Sequence, residues 1–284
     1  DPLSEDTTDT LQVLGDSSCI ALYKFENNED DKSGNYNGTA TEIQYAAGRY
    51  GQAGDFNGTD SVVTGTAQNV GSSFSVSAWI YPTAYGEKNY FNLWVDTSNL
   101  FQIGLNETTN GKLTIAAKSS GSWYVYQTSS SSIIPSLNQW YHIVVNRSSS
   151  DLKIYVNGTF IESANNYYDK TYNTFNIGSG KSTANNSFFE GRIDQVRVFN
   201  KTLSASEVTT LYQENSLVAS YRFEGNSNDD TRNNDGTTSN VTYEFGLNFT
   251  PDLVWIKDRG ATGYHALHDS TRGATKGVHS NHTD

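Results

Sequence analysis

The chain of 284 residues carries one cysteine, no methionine and only four prolines. With Cys19 alone no intrachain disulfide can form, so stability must come from a core of the size this length allows. A chain that lacks Met at position 1 reads as a processed start or as a segment of a longer protein. No stretch reaches the ~20 consecutive apolar residues of a membrane-spanning helix. Charge is sparse, at 18% of residues against ~25% in ordinary soluble domains. It is also one-sided, with 31 acidic and 19 basic residues giving a net charge of −12. This balance denies a nucleic-acid ligand its basic footprint and disfavours anionic membranes.

Ser, Thr, Asn and 24 Gly fill the space, together with 18 Tyr and 13 Phe. That mixture is how short strands joined by polar turns read. β-branched and aromatic runs bounded by turn residues predict strands over 20–26, 61–64, 74–81, 90–95, 100–105, 112–117, 123–127, 140–146, 152–156, 159–162, 176–178 and 192–199. Asn157-Gly158 stands between two of them and predicts a tight hairpin, because both positions then take positive φ. One helix is expected. Ser204-Ala205-Ser206-Glu207 has the spacing of a capping box, and Val208, Leu211 and Tyr212 follow on one face. Cys19 reads as a buried, inert thiol, and Trp79 and Trp140 as core residues inside apolar strands.

Many strands and one late helix predict an all-β, two-sheet antiparallel jelly-roll sandwich with a short C-terminal helix. The blocks YKFENNEDDKSGNYNGT, GQAGDFNGTDSVV, FSVSAWIYP, QWYHIVVNRSSSDLKIYVNG and GRIDQVRVFNKTLSASEVTTLY follow in order. Together they resemble a laminin-G-like (concanavalin A-like lectin/glucanase) domain over 19–214. The resemblance implies the jelly roll; such sandwiches serve as lectins, adhesion modules and spacers. Residues 1–18 read as an acidic arm or linker with one sticky stretch at Leu11, Val13 and Leu14. Residues 215–284 read as a partial second repeat and a β-rich tail, that is, an incomplete second β unit. Residues 19–45 recur at an offset of 198: Ala21, Tyr23, Phe25, Glu26, Asn28, Asp31, Asn35, Gly38, Thr39 and Tyr45 match Ala219, Tyr221, Phe223, Glu224, Asn226, Asp229, Asn233, Gly236, Thr237 and Tyr243. The segment from GLNFTPDLVWIKDRG onward resembles virion and tail proteins of aquatic bacteriophages.

Catalytic signals are weak. Glycan hydrolysis needs two carboxylates flanking the bond, and strands 74–81 and 140–146 carry no acid. Glu190 and Asp194 lie four apart, too far for one alternating pair, and Asp194 belongs to the laminin-G-like GRIDQVRVF block, where a structural role is expected. His142 sits in a core-like strand without a nucleophile elbow. His265, His268, His279 and His282 form two H-x-x-H pairs in a Gly- and Thr-rich tail and read as polar loop. The candidate metal site is for calcium, with hard oxygens at Asp30, Asp31, Asn35 and Asn37 in one loop; the alternative is a loop closed by its own Asx turns. The second copy repeats it with Asp229, Asp230 and Asn234. Candidate carbohydrate-binding aromatics are Trp94, Trp123, Tyr124, Tyr126, Tyr167, Tyr168 and Tyr172, of which about half must face inward on alternating strands. Glycosylation sequons stand at Asn37, Asn57, Asn106, Asn146, Asn157, Asn185, Asn200, Asn240 and Asn281, with Asn248 a poor acceptor before Thr250-Pro251.

These features predict a non-enzymatic structural and adhesive subunit at an extracellular, cell or virion surface. It would assemble with copies of itself through its chain ends, because unpaired strand edges recruit other chains. The alternative is a calcium-assisted lectin that binds cell-surface glycans.

Overall fold

The computed structural model describes residues 11, 13–68, 70–105, 111–129, 133–149, 151–165, 172–180, 187–214 and 239, and the backbone of three short strands at 253–256, 266–269 and 277–279. The chain divides into two compact units, Asp1–Ser216 and Leu217–Asp284.

The first unit is a two-sheet sandwich. One sheet runs in the order β13 (Thr159–Asn165), β12 (Asp151–Val156), β11 (Tyr141–Arg147), β6 (Phe74–Pro82), β17 (Glu190–Phe199), β4 (Gln52–Asn57) and β3 (Gln44–Ala47), with β1 (Cys19–Tyr23) also on β17. The second sheet runs β10 (Ser122–Gln127), β9 (Leu113–Ser119), β8 (Asn99–Leu105), β7 (Lys88–Asp96), β14 (Thr174–Ile177), β5 (Val62–Thr66) and β2 (Thr39–Thr41). Two short strands, β15 (Ser179–Gly180) and β16 (Ser187–Phe188), join its rim. Pairing is antiparallel throughout except for the single parallel contact of β16 with β7.

Period-two alternation builds the core. Val76, Ala78 and Ile80 of β6 and Ile143 and Val145 of β11 face Phe91 and Leu93 of β7 and Phe101, Ile103 and Leu105 of β8. Phe74 meets Phe101 edge-on at 5.3 Å, and Tyr23 meets Phe175 at 5.2 Å, so aromatic pairs bridge the sheets. Outside the first sheet, α1 (Ala205–Tyr212) lays Val208 and Leu211 onto Val144, Tyr155, Phe199, Leu203 and the buried Cys19. Burial pushes the Cys19 thiol up to about 12, as an inert thiol requires. Ser204 caps α1 with Glu207 reaching back. Asn157 and Gly158 turn the β12–β13 hairpin at φ 49° and 77°.

The structure differs from the expected series in four ways. β2, β3 and β4 had no clear apolar pattern; in β4, Gly54 takes the place of a side chain because the Phe25 and Phe56 rings occupy that space. Trp79 is buried, but on the outer face of the first sheet, stacked on Tyr212 of α1 at 5.7 Å. Trp140 precedes β11 and is half-buried against Tyr81, so it is not a core residue. The stretch Leu11, Val13 and Leu14 packs on the sandwich's own outer cluster, and Asp16 bonds Lys201 at 2.6 Å, so residues 11–18 are not a free arm.

Within the second unit, β18 (Leu253–Ile256), β19 (Ala266–Asp269) and β20 (Gly277–His279) form an antiparallel three-stranded sheet. His268 and His279 therefore lie on strands, not in loops. His265 and His282, and the repeated block at 217–243 apart from Ser239, lie outside the described residues.

Candidate functional site

On the outer face of the second sheet, three amides stand in one row. Asn92 of β7 is opposite Gln102 of β8 on one side and Asn176 of β14 on the other. Neighbouring strands lie about 4.8 Å apart, so the three form a ladder across the sheet. A register shift between Asn89 and Phe91 keeps Asn89 on this face, opposite Gly104. Gly104 and Gly180 leave the room it needs: a Cβ on either would come within 2.3 or 2.4 Å of the Asn89 amide. The next row holds Trp123, Lys118, Leu100, Trp94 and Thr174.

All four amides are buried, Asn92 completely. Among the described residues, neither polar atom of Asn92, nor Gln102 Oε1, nor Asn89 Nδ2 has a hydrogen-bond partner. An unsatisfied buried amide costs roughly 1–3 kcal/mol, so the row is kept against folding stability. Each amide offers both donors and an acceptor, the complement of hydroxyl groups that themselves donate and accept. The rows around it, Asn89–Gly104–Thr114–Gln127, Asn92–Gln102–Ala116–Val125 and Trp94–Leu100–Lys118–Trp123, contain no carboxylate. These rows thus carry no acid pair of the kind that glycosidic hydrolysis uses.

The strand parity sorts the expected aromatics. Trp94, half-buried, and Trp123, exposed, share the amide face. Lys118 Nζ lies 5.2 Å from the Trp123 ring centre and donates to Thr97 O at 2.7 Å. Tyr124 and Tyr126 pair with Ala117 and Ile115 and so point to the opposite side. Tyr126 leans on the core, where burial, then a hydrogen bond with Glu162, pushes its hydroxyl up to about 12. Tyr172 is buried in the core and offers no platform for a ligand. Tyr167 and Tyr168 lie outside the described residues.

The loop chosen for calcium is closed by the protein itself. Asp31 Oδ1 accepts from Leu22 N at 2.8 Å and Ser33 N at 3.2 Å; Oδ2 accepts from Tyr36 N at 3.1 Å and from Ser33 Oγ. Four donors fill the lone-pair sites of one carboxylate, so Asp31 is not available to a cation. Asn37 Oδ1 accepts from Asp31 N at 3.0 Å, while Asp30 and Asn35 are exposed beside it. Asp229, Asp230 and Asn234 of the second copy lie outside the described residues.

Among the sequons, Asn146 is corrected. It is buried, its amide nitrogen donates to Leu203 O at 2.7 Å, and its oxygen accepts from Ser75 Oγ, so no glycan fits there. Asn157 is half-buried in the hairpin with its oxygen on His142 N, whereas Asn37, Asn57 and Asn200 are exposed. Asn106, Asn185, Asn240, Asn248 and Asn281 lie outside the described residues.

A second polar cluster lies under α1. A bulge between Asp194 and Arg197, with Gln195 at φ 49°, turns both side chains outward from the first sheet. Arg197 pairs with Glu214 at 2.6 Å, and Asp194 Oδ2 accepts from Tyr50 N at 2.9 Å. Burial pushes the Asp194 carboxyl up to about 8 and holds His142 down at about 3, so the imidazole is neutral. His142 Nε2 bonds Ser77 Oγ at 2.8 Å, yet both are sealed beneath Trp79 and Tyr212. This cluster ties α1 to the sheet. No residue pattern marks the bulge, and the amide row leaves no signal in the sequence because its members alternate with core residues and come from three separated strands.

Residues 56–209 match the laminin-G model described as the concanavalin A-like lectin/glucanases superfamily, and residues 227–284 match a domain of unknown function. No curated protein matches the sequence. Among solved structures, domain 4 of AbnA, a GH43 extracellular arabinanase from Geobacillus stearothermophilus in complex with arabinotriose, is 26% identical. That match covers 69% of this chain and 98% of the domain, with a TM-score of 0.59. The binding domain of Paraclostridial Mosquitocidal Protein 1 is 21% identical over 72% of this chain, with a TM-score of 0.55. A botulinum neurotoxin type C structure, whose cell entry depends on two ganglioside molecules, is 21% identical over 69% of this chain, with a TM-score of 0.54. The chain spans 52% and 51% of those two toxin chains, and at such identity they share its fold.

Proposed function

Because the chain belongs to the concanavalin A-like lectin/glucanases superfamily, we propose that its sandwich is a non-enzymatic carbohydrate-binding domain of a secreted or surface protein. The observation that carries this reading is the row of amides, Asn92 above all, without partners among the described residues, beside Trp94 and the exposed Trp123. An uncharged oligosaccharide laid across β8, β7 and β14 would stack a ring on an indole and, by displacing what covers the buried row, hydrogen-bond its amides. The arabinanase domain solved with arabinotriose supports a neutral sugar chain as the ligand class. With no carboxylate in these rows, the glycan is held and not cut.

This reading takes the place of a filament subunit assembled through chain ends, which nothing in the described fold favours, since Leu11, Val13 and Leu14 pack on the sandwich's own outer cluster. No helix among the described residues is long and apolar enough to cross a membrane. Calorimetric titration of the whole chain with neutral arabino-, xylo- and gluco-oligosaccharides tests the proposal. Affinity is expected to rise from mono- to trisaccharide and to persist in chelator, because Asp31 is already saturated. Equal, negligible heats across all lengths would sink it.

A further inference from the structure

Among the described residues four large apolar side chains are exposed: Trp123, Tyr124, Val125 and Phe160. Register divides them. Trp123 pairs with Lys118 and Val125 with Ala116, so these two stand on the amide face, while Tyr124 pairs with Ala117 and points to the other side. Phe160 belongs to β13 of the first sheet and meets Tyr155 at 5.4 Å. On β10 the amide face therefore ends in an indole and an isopropyl group, 45 and 54% exposed. An open aromatic ring beside a row of polar groups is the combination that ligand sites use.

The two indoles of this face share one row. Trp94 is opposite Leu100, Leu100 opposite Lys118, and Lys118 opposite Trp123. Trp94 and Trp123 thus stand three strand spacings apart, roughly 14 Å, too far for a single sugar ring to touch both. Leu100, between them, is buried. Trp123 is also held in place by its neighbour: Lys118 Nζ donates to Thr97 O at 2.7 Å and lies 5.2 Å from the ring centre. A ring fixed in advance loses little side-chain freedom when a ligand lands on it.

We propose that Trp123 is a second stacking platform, and that the ligand of this face is an uncharged glycan chain several sugars long, laid along the row from β7 to β10. This rests on the carbohydrate-binding reading above and extends it. The amides and Trp94 hold one stretch of the chain, and Trp123 holds another. Because one chain joins the two contacts, the second forms intramolecularly and adds affinity that a short fragment cannot have.

Calorimetric titration of the whole chain with linear arabino-, xylo- and gluco-oligosaccharides, from tri- to hexasaccharide, tests the proposal. In the series that binds, affinity is expected to climb about tenfold beyond the trisaccharide, the worth of one well-stacked ring. Trp123→Ala is expected to flatten that climb, so that the hexasaccharide binds no tighter than the trisaccharide, with an unchanged melting temperature. Trp123→Tyr keeps an aromatic face and is expected to restore part of the gain. A wild type that binds the trisaccharide and the hexasaccharide equally overturns the second platform and leaves the carbohydrate-binding reading standing. A climb that survives Trp123→Ala overturns it as well. No binding at any length overturns both.

Discussion

Asn92 and Asp194 are both fully buried polar groups, and they serve opposite ends. The unpaired Asn92 amide lowers stability and, in the proposed function, is repaid by a ligand. Asn92→Ala is therefore expected to leave the melting temperature unchanged or raised while weakening oligosaccharide binding about tenfold, the worth of one good hydrogen bond. Thermal denaturation and titration of the same sample check both halves. A variant that lost stability and kept affinity would contradict the site. Asp194 is engaged by the backbone, and its carboxyl is pushed up to about 8 by burial. The unfolded chain ionises this group near ~4, so the folded state holds the extra proton between those values. Its contribution to stability is full below ~pH 4, declines as pH rises, and is gone above ~pH 8. Asp194→Asn still accepts from Tyr50 N and cannot ionise. The variant's melting temperature is expected to match wild type near ~pH 4 and exceed it progressively toward ~pH 9; a difference independent of pH would refute the assignment.

At the scale of elements, local chemistry was strong wherever a motif satisfied its own backbone. The capping box Ser204–Glu207 and the Asn157-Gly158 hairpin both stand as their spacing implies. Ser204→Ala removes the acceptor for Glu207 N and leaves a helix-terminal donor to water. The expected loss is ~1 kcal/mol in urea denaturation, with the slope unchanged. A much larger loss would mean that α1 holds the Asp194–Arg197–Glu214 cluster together, not merely covers it. Elements without such motifs were harder to read. β4 was hidden by Gly54, whose missing side chain is required by the ring of Phe25 from elsewhere in the chain and that of Phe56 from the same strand. Trp140 looked like core because it adjoins an apolar strand, but the strand begins one residue later.

For the whole molecule, the two sheets have unequal outer faces. The first is closed by α1, by residues 11–18 and by a paired buried cluster. The second presents an amide ladder with unsatisfied atoms and ends in an uncharged edge strand. The loop around Asp31 shows the reverse case, where a constellation with the composition of a metal site is consumed by its own hydrogen bonds.

Sequence alone determined the all-β class, most strand positions, and the helix and its cap, because these rest on contacts between near neighbours in the chain. Alternation with period two also fixed that each strand has two faces. It left open which face looks inward, since parity acquires meaning only when a second sheet packs against the first. That packing sent Trp94 and Trp123 to one side and Tyr124 and Tyr126 to the other. It buried Tyr172 and Asn146, and it aligned Asn92, Gln102 and Asn176 from three separate strands. The candidate site exists only through register between distant strands, which is a property of the folded sheet and of no segment within it.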